Sequence, residues 1–99
     1  MLKIFTVKDL DRIADAEDQM TAFRELLEKR KKETDIPALI GKKNVTLFRE
    51  TMDSFDGQRK KTLEIINGEV QWYGAMMTTI DTGYETRKVL SKTIKAVIL

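Results

Sequence analysis

Apolar residues recur every three or four positions over the first third of the chain, at Leu10, Ile13, Ala16, Met20, Phe23 and Leu27. That spacing puts one apolar stripe along a helix. Thr6 stands where an N-cap belongs, with Asp9 three residues on, as in a capping box with Asp in place of Glu. Acids early (Asp9, Asp11) and cations late (Lys29 to Lys32) suit the helix dipole. The pattern predicts a helix over about 7–33. Residues 34–43, TDIPALIGKK, interrupt it: Pro37 disfavours helix at Ile36, and Gly41 offers a further break. Ile36, Leu39 and Ile40 are too apolar for a free linker, so an ordered turn is expected, its apolar side covering one end of the molecule.

A second stripe follows at Val45, Phe48, Met52, Phe55, Leu63 and Ile66, with Asn44 as cap, and predicts a helix over about 44–67. Gly57 and the β-branched Val45, Thr46 and Thr51 weigh against it. Residues 65–74, IINGEVQWYG, allow three readings: a hairpin turn at Asn67-Gly68, a helix end at Gly68, or a Trp-x-Gly family mark. Ile66, Val70, Tyr73, Met77, Ile80 and Tyr84 carry the three-four spacing past Gly68, which favours helical continuity over the hairpin. The alternation Val70, Trp72, Gly74, Met76, Thr78, Ile80 fits a strand, but the helical spacing extends the stripe from Ile66, and Ala75-Met76-Met77 favours helix. A third helix is therefore expected over about 69–97, with a kink near 81–83. The fold class this implies is all-α, an antiparallel helical hairpin extended to a coiled-coil-like bundle in a single domain, 1–99. Met1, Leu2, Ile4 and Phe5 at one end and Ala96 to Leu99 at the other want cover, from each other as a short strand pair or from another subunit.

Composition agrees with helix: 41% hydrophobic, 34% charged, and only five Gly and one Pro to supply turns. The absence of Cys and His removes thiol chemistry, Cys/His zinc sites and any histidine base. Ser54 and Ser91 have no nucleophile-elbow context. The helical carboxylate pairs (Asp11 with Asp15, Asp15 with Asp18, Asp53 with Asp56) read as solvated faces, so no catalytic residue, metal site or cofactor is expected. The net charge of +2 favours no particular partner, but its distribution is uneven. Acids crowd residues 9–18, and Arg59-Lys60-Lys61 would face them across a folded-back hairpin. Lys29, Arg30, Lys31, Lys32, Lys42 and Lys43 flank the Pro37 turn and form a candidate anion-binding cluster. No run approaches the ~20 apolar residues that span a bilayer. MLKIF is too short for a signal-peptide core, so the chain is expected in the cytoplasm or secreted by a leaderless route.

The Trp72-Tyr73-Gly74 triplet, the length near a hundred residues and the expected hairpin resemble the WxG family of small type VII secretion proteins. That resemblance implies helical hairpins that pair as dimers and serve as secretion substrates or partners. Here the triplet lies well past the Pro37–Gly41 turn, whereas the family carries it at the interhelical turn.

The function these features support is a non-enzymatic interaction or assembly module, bacterial or phage, working on a protein partner or on itself as an oligomer. Its expected face is Met52, Phe55, Ile66, Val70, Trp72, Tyr73, Met77, Ile80 and Tyr84. A small nucleic-acid-associated protein using the basic clusters is the alternative, and nucleic acid is the less favoured partner.

Overall fold

The computed structural model describes the backbone of residues 1–99 and every side chain except that of Phe55, which lies outside the described residues. It corrects the all-α expectation. Among the described residues two helices, α1 (Val7–Asp15) and α2 (Gln19–Lys29), accompany seven strands: β1 (Leu2–Ile4), β2 (Glu33–Thr34), β3 (Val45–Phe55), β4 (Gln58–Tyr73), β5 (Met77–Asp81), β6 (Thr86–Leu90) and β7 (Ile94–Ile98). They form one mixed sheet in the order β2-β1-β7-β3-β4-β5-β6. Among the described residues the expected long helical hairpin and coiled coil are absent: the segments expected as helices 44–67 and 69–97 are β3 to β7.

The N-terminal reading fares differently. The Thr6/Asp9 capping box is present, with Asp9 N–H donating to Thr6 Oγ1 at 3.2 Å and Thr6 N–H to the Asp9 carboxylate at 3.0 Å. The expected stripe does face the core, with Ile13 and Phe23 buried and Leu10, Ala16, Met20 and Leu27 packed beside them. The single helix breaks, however, at residues 16–18. Asp18 caps a second start by accepting from Thr21 N–H at 3.1 Å, and α1 and α2 fold against one face of the sheet. Pro37–Leu39 form the ordered turn, a single 3₁₀ turn that buries Ile36 and Leu39. The two apolar ends do meet as a strand pair, β1 lying parallel to β7 with Lys3 opposite Ala96 and Ile4 opposite Val97.

Each face of the sheet carries its own core. On the helical side Phe5, Phe23 and Phe48 pack with ring centroids 5.1–6.1 Å apart, joined by Ile13, Ala22, Leu26 and Ala96. The other core gathers residues from β1, β3, β4, β5, β6 and β7, among them Leu2, Leu47, Ile66, Ile80, Val89 and Val97. Strands at opposite ends of a flat sheet cannot share one cluster, so the sheet curls over this face as a half-barrel. Arg87 on β6 accordingly reaches past β5 to Glu64 on β4 at 3.1 Å. The seam behind the curl is polar: Ser91 Oγ donates to the Gly74 carbonyl at 2.7 Å, and Thr78 Oγ1 lies 2.7 Å from Ser91 Oγ. Ser91 has one proton and uses it on Gly74, so Thr78 is the donor between the two hydroxyls.

Asp9 is the one buried acid among the described residues, and Arg30 grips it through two bonds of 2.9 and 2.5 Å. The Arg30 guanidinium holds the Asp9 carboxyl below its ordinary 3.8; burial opposes this and the Thr6 cap assists it. Arg24 likewise lowers Glu50 from 4.5. Burial pushes Glu64 up, but hydrogen bonds from Arg49 and Arg87 outweigh it and leave Glu64 below 4.5. These carboxyls titrate lower folded than unfolded, so their stabilisation is complete above pH 3.8–4.5 and is lost as pH falls through the lowered values. The melting temperature is expected to be level from pH 7 to about 5 and to fall steeply below 4. Arg30→Ala should lower it at pH 7, because Asp9 is left buried without its charged partner, and should shrink the drop between pH 6 and 3. Calorimetry across that range checks both.

Candidate protein-interaction surface

The hairpin of β3 and β4 turns at Asp56-Gly57, where both residues have positive φ (51° and 77°). Phe55 opposite Gln58 leaves a two-residue loop. An Asp-Gly pair in this conformation is the preferred type I′ connection, because its twist matches that of the strands. Gly57, which the helical expectation places in a helix interior, is thus the turn itself. Gly57→Ala is expected to destabilise the ribbon end by about 1 kcal/mol through left-handed strain. Amide exchange between 53 and 60 should speed up, with the exchange of the Phe48 amide unchanged.

Most of this hairpin stands clear of the body. Residues 52–54 and 56–61 are all exposed. β7 pairs with β3 only from Thr46 to Arg49, and β5 pairs with β4 only from Glu69 onward. Residues 50–55 and 58–64 therefore form a two-stranded ribbon with an unpaired edge on each side, roughly 17–20 Å long at ~3.3 Å per residue. Apart from Glu64 at its base, its charges are sorted by strand. Glu50, Asp53 and Asp56 lie on or just past β3, with no cation among them; Arg59, Lys60 and Lys61 lie on β4. Asp53 faces Lys60 in register without an ion pair among the described residues; Thr62 Oγ1 donates to Asp53 at 3.1 Å instead. Of the expected apposition of acids 9–18 with cations 59–61, one part is present on this new scaffold: Glu17, Asp18 and Met20 share a groove of about 570 Å³ with Lys60 and Lys61, while Asp9 is held by Arg30.

A second groove, of about 470 Å³, lies where β7 leaves β3. Phe48 pairs with Ala96 but Arg49 with Ile94, so Lys95 is the extra residue of a β-bulge. The 3₁₀ turn Ser91–Thr93 follows at the same end and is fixed to β3 by Arg49 Nε donating to Thr93 Oγ1 at 3.0 Å. Bulges bend a strand and re-aim its side chains; this one brings Lys95 beside Lys92, Lys61, Met52 and Leu90.

The expected interaction face divides. Ile66, Val70 and Ile80 are core residues of the half-barrel, and Met77 is half-buried. Met52, Trp72, Tyr73 and Tyr84 are exposed, Tyr84 almost fully at 99%. Phe55's side chain is outside the described residues. Trp72 and Tyr73 end β4, and the Trp72 ring lies over Gly74, where any Cβ would strike it. Gly74 N–H donates to Met77 O at 2.8 Å, closing the β4–β5 turn. The Trp-Tyr-Gly triplet thus serves a strand-end turn, and the helical hairpin its resemblance implied is replaced by a sheet. Gly74→Ala should displace the indole and shift the single-tryptophan emission, with little loss of stability.

The anion-binding cluster is thinned as well. Arg30 is committed to Asp9, while Lys29, Lys31, Lys32, Lys42 and Lys43 are exposed. The basic convergence that sequence reasoning missed is Lys61 with Lys92 and Lys95. Its signal was weak, since only the Phe48/Arg49 bulge brings these positions together. Among the described residues no group of three metal-ligating side chains assembles, and no helix is long and apolar enough to cross a membrane. Comparison with family models, curated proteins and solved structures yields no match.

Proposed function

We propose that the chain is a non-enzymatic protein–protein assembly module, and that the β3–β4 ribbon is the element it offers to another protein. The observation that carries this is the ribbon itself. A two-stranded hairpin outside a core is marginally stable in water, and an open edge is a template for strand pairing. Eight exposed side chains among the described residues, a dedicated Asp-Gly turn and sorted charges fit an element ordered by what it docks against. Exposed Met52 at its base extends the surface with apolar area. A photo-crosslinker at Ser54, on the ribbon, and another at Lys29, at the far end of α2, test the reading in cells. It expects one discrete adduct from Ser54 and none from Lys29; equal, diffuse labelling at both sites would contradict it.

The convergence of Lys61, Lys92 and Lys95 favours one second reading, a nucleic-acid-associated protein. That reading requires oligonucleotide binding that weakens steeply between low and moderate salt, through counterion release. Binding that persists unchanged at moderate salt belongs to the assembly reading.

A further inference from the structure

We infer that the groove between the ribbon and the Ser91–Thr93 turn receives an extended segment of a partner protein, adding as a strand to the open edge of β3, with an apolar side chain flanked by carboxylates. The inference rests on the reading of the ribbon as an interaction element and names what that element takes.

Three features of the groove point to this occupant. The first is backbone. The β3–β7 ladder ends at Arg49 and Ile94, and β3 runs on to Phe55 with its outer groups unpaired. Alternate N–H and C=O groups along such an edge are positioned for one more strand. The second is shape and apolarity. Met52 (53% exposed) and Leu90 (39% exposed) face solvent from the two walls, and a side chain arriving between them would cover both. The third is charge. Lys61, Lys92 and Lys95 stand around the apolar centre, and Lys92 and Lys95 form no ion pair among the described residues. The single acid of the groove, Glu50, is already held by Arg24 at 2.6 Å, with Lys61 3.8 Å away. The groove therefore has cations to spare, and a carboxylate two residues either side of the anchoring apolar group would meet them, since alternate residues of a strand share a face. The same lysines repel a basic strand, which makes the edge selective rather than generally adhesive.

The test uses the whole chain and a synthetic ten-residue peptide of Thr and Val, with Leu near its centre and Glu two residues to each side. A matched peptide carries Lys in place of both Glu. Amide shifts are followed by NMR during titration. The expected result is that the Glu peptide moves amides within 50–55 and 91–95 and slows exchange along β3. Lys92→Glu/Lys95→Glu, at an exposed and a half-buried position, should weaken it at least tenfold, and the Lys peptide should not bind. Equal binding of both peptides, or shifts confined to β4 or the helices, would overturn the inference. So would a free protein of twice the single-chain mass with amides 50–55 already protected, which would make a second copy the occupant. An oligonucleotide moving the same amides more strongly than the Glu peptide would overturn it in favour of nucleic acid. A discrete Ser54 adduct with no Glu-peptide binding leaves the assembly reading standing and this inference refuted; loss of both refutes the two together.

Discussion

Phe48→Ala should be the most damaging single truncation in the chain, lowering stability by about 3–5 kcal/mol. Phe48 lies on the central strand β3, fully buried, 5.1 Å from the Phe5 ring and 6.1 Å from Phe23. It joins β1, β3 and α2 into one core. The side chain is enclosed by a sheet below and helices above, so collapse around the vacancy is limited, and cost rises with the cavity that remains. Chemical denaturation of the variant against wild type reads the loss directly. A cost near that of a solvent-exposed Phe, below about 1 kcal/mol, would show that α1 and α2 do not pack as described. Phe48→Leu, which keeps most of the volume, should recover more than half of the loss.

Gly68→Ala is the second, and its sign separates the sheet from the helical expectation. In the interior of a continuous helix, Ala in place of Gly stabilises by up to ~1 kcal/mol. In the sheet Gly68 sits inside β4 facing the end of β5, and an added Cβ would fall against the Asp81 carbonyl and 3.2 Å from the Thr82 Cα. Both obstacles are backbone, which cannot swing aside as a side chain can. Overpacking of this kind costs about 1–3 kcal/mol, and here it also forces β4 from β5 at the point where the half-barrel starts to curl. The melting temperature should drop and the amides of 78–81 should exchange faster. An unchanged or raised melting temperature would contradict the close approach.

The same glycine shows why so much of the chain misleads when read as a sequence. Asn67-Gly68 between apolar residues looks like the hairpin turn, yet it lies mid-strand, and the true turn is Asp56-Gly57, eleven residues earlier and flanked by charge. Strand alternation is blurred because the central strands are covered on both faces: Val45 and Leu47 point into the half-barrel while Phe48 points to the helices. Buried positions 45, 47 and 48, followed by exposed 52 and 53, do not read as period two. The ribbon then supplies polar residues on both faces, which removes the period altogether. What remained legible was local chemistry. The capping box at Thr6 and Asp9 acts within one turn and needs no tertiary context, and the stripe from Leu10 to Leu27 faces a single core. The turn at Pro37 and the pairing of the apolar ends follow from backbone restriction and from the need to cover exposed apolar groups. The β-branched Val45, Thr46 and Thr51, weighed against the three-four spacing, were the better guide to β3. As to the site, Met52, Trp72, Tyr73 and Tyr84 were found as surface aromatics and thioethers. The ribbon was not, because its exposure depends on where β5 and β7 stop pairing.

Mass in solution is the most direct test of the ribbon as an assembly element. Thr51 and Thr62 are register partners, so replacing residues 52–61 with Asn-Gly shortens the ribbon without touching either core. Wild type recovered from the cells that encode it should scatter as a complex heavier than the 11.4 kDa chain. The shortened chain, with its melting temperature unchanged within a few degrees, should scatter at its own mass. A wild-type protein at 11.4 kDa with no companion, or a shortened chain that keeps the complex, would contradict the proposal.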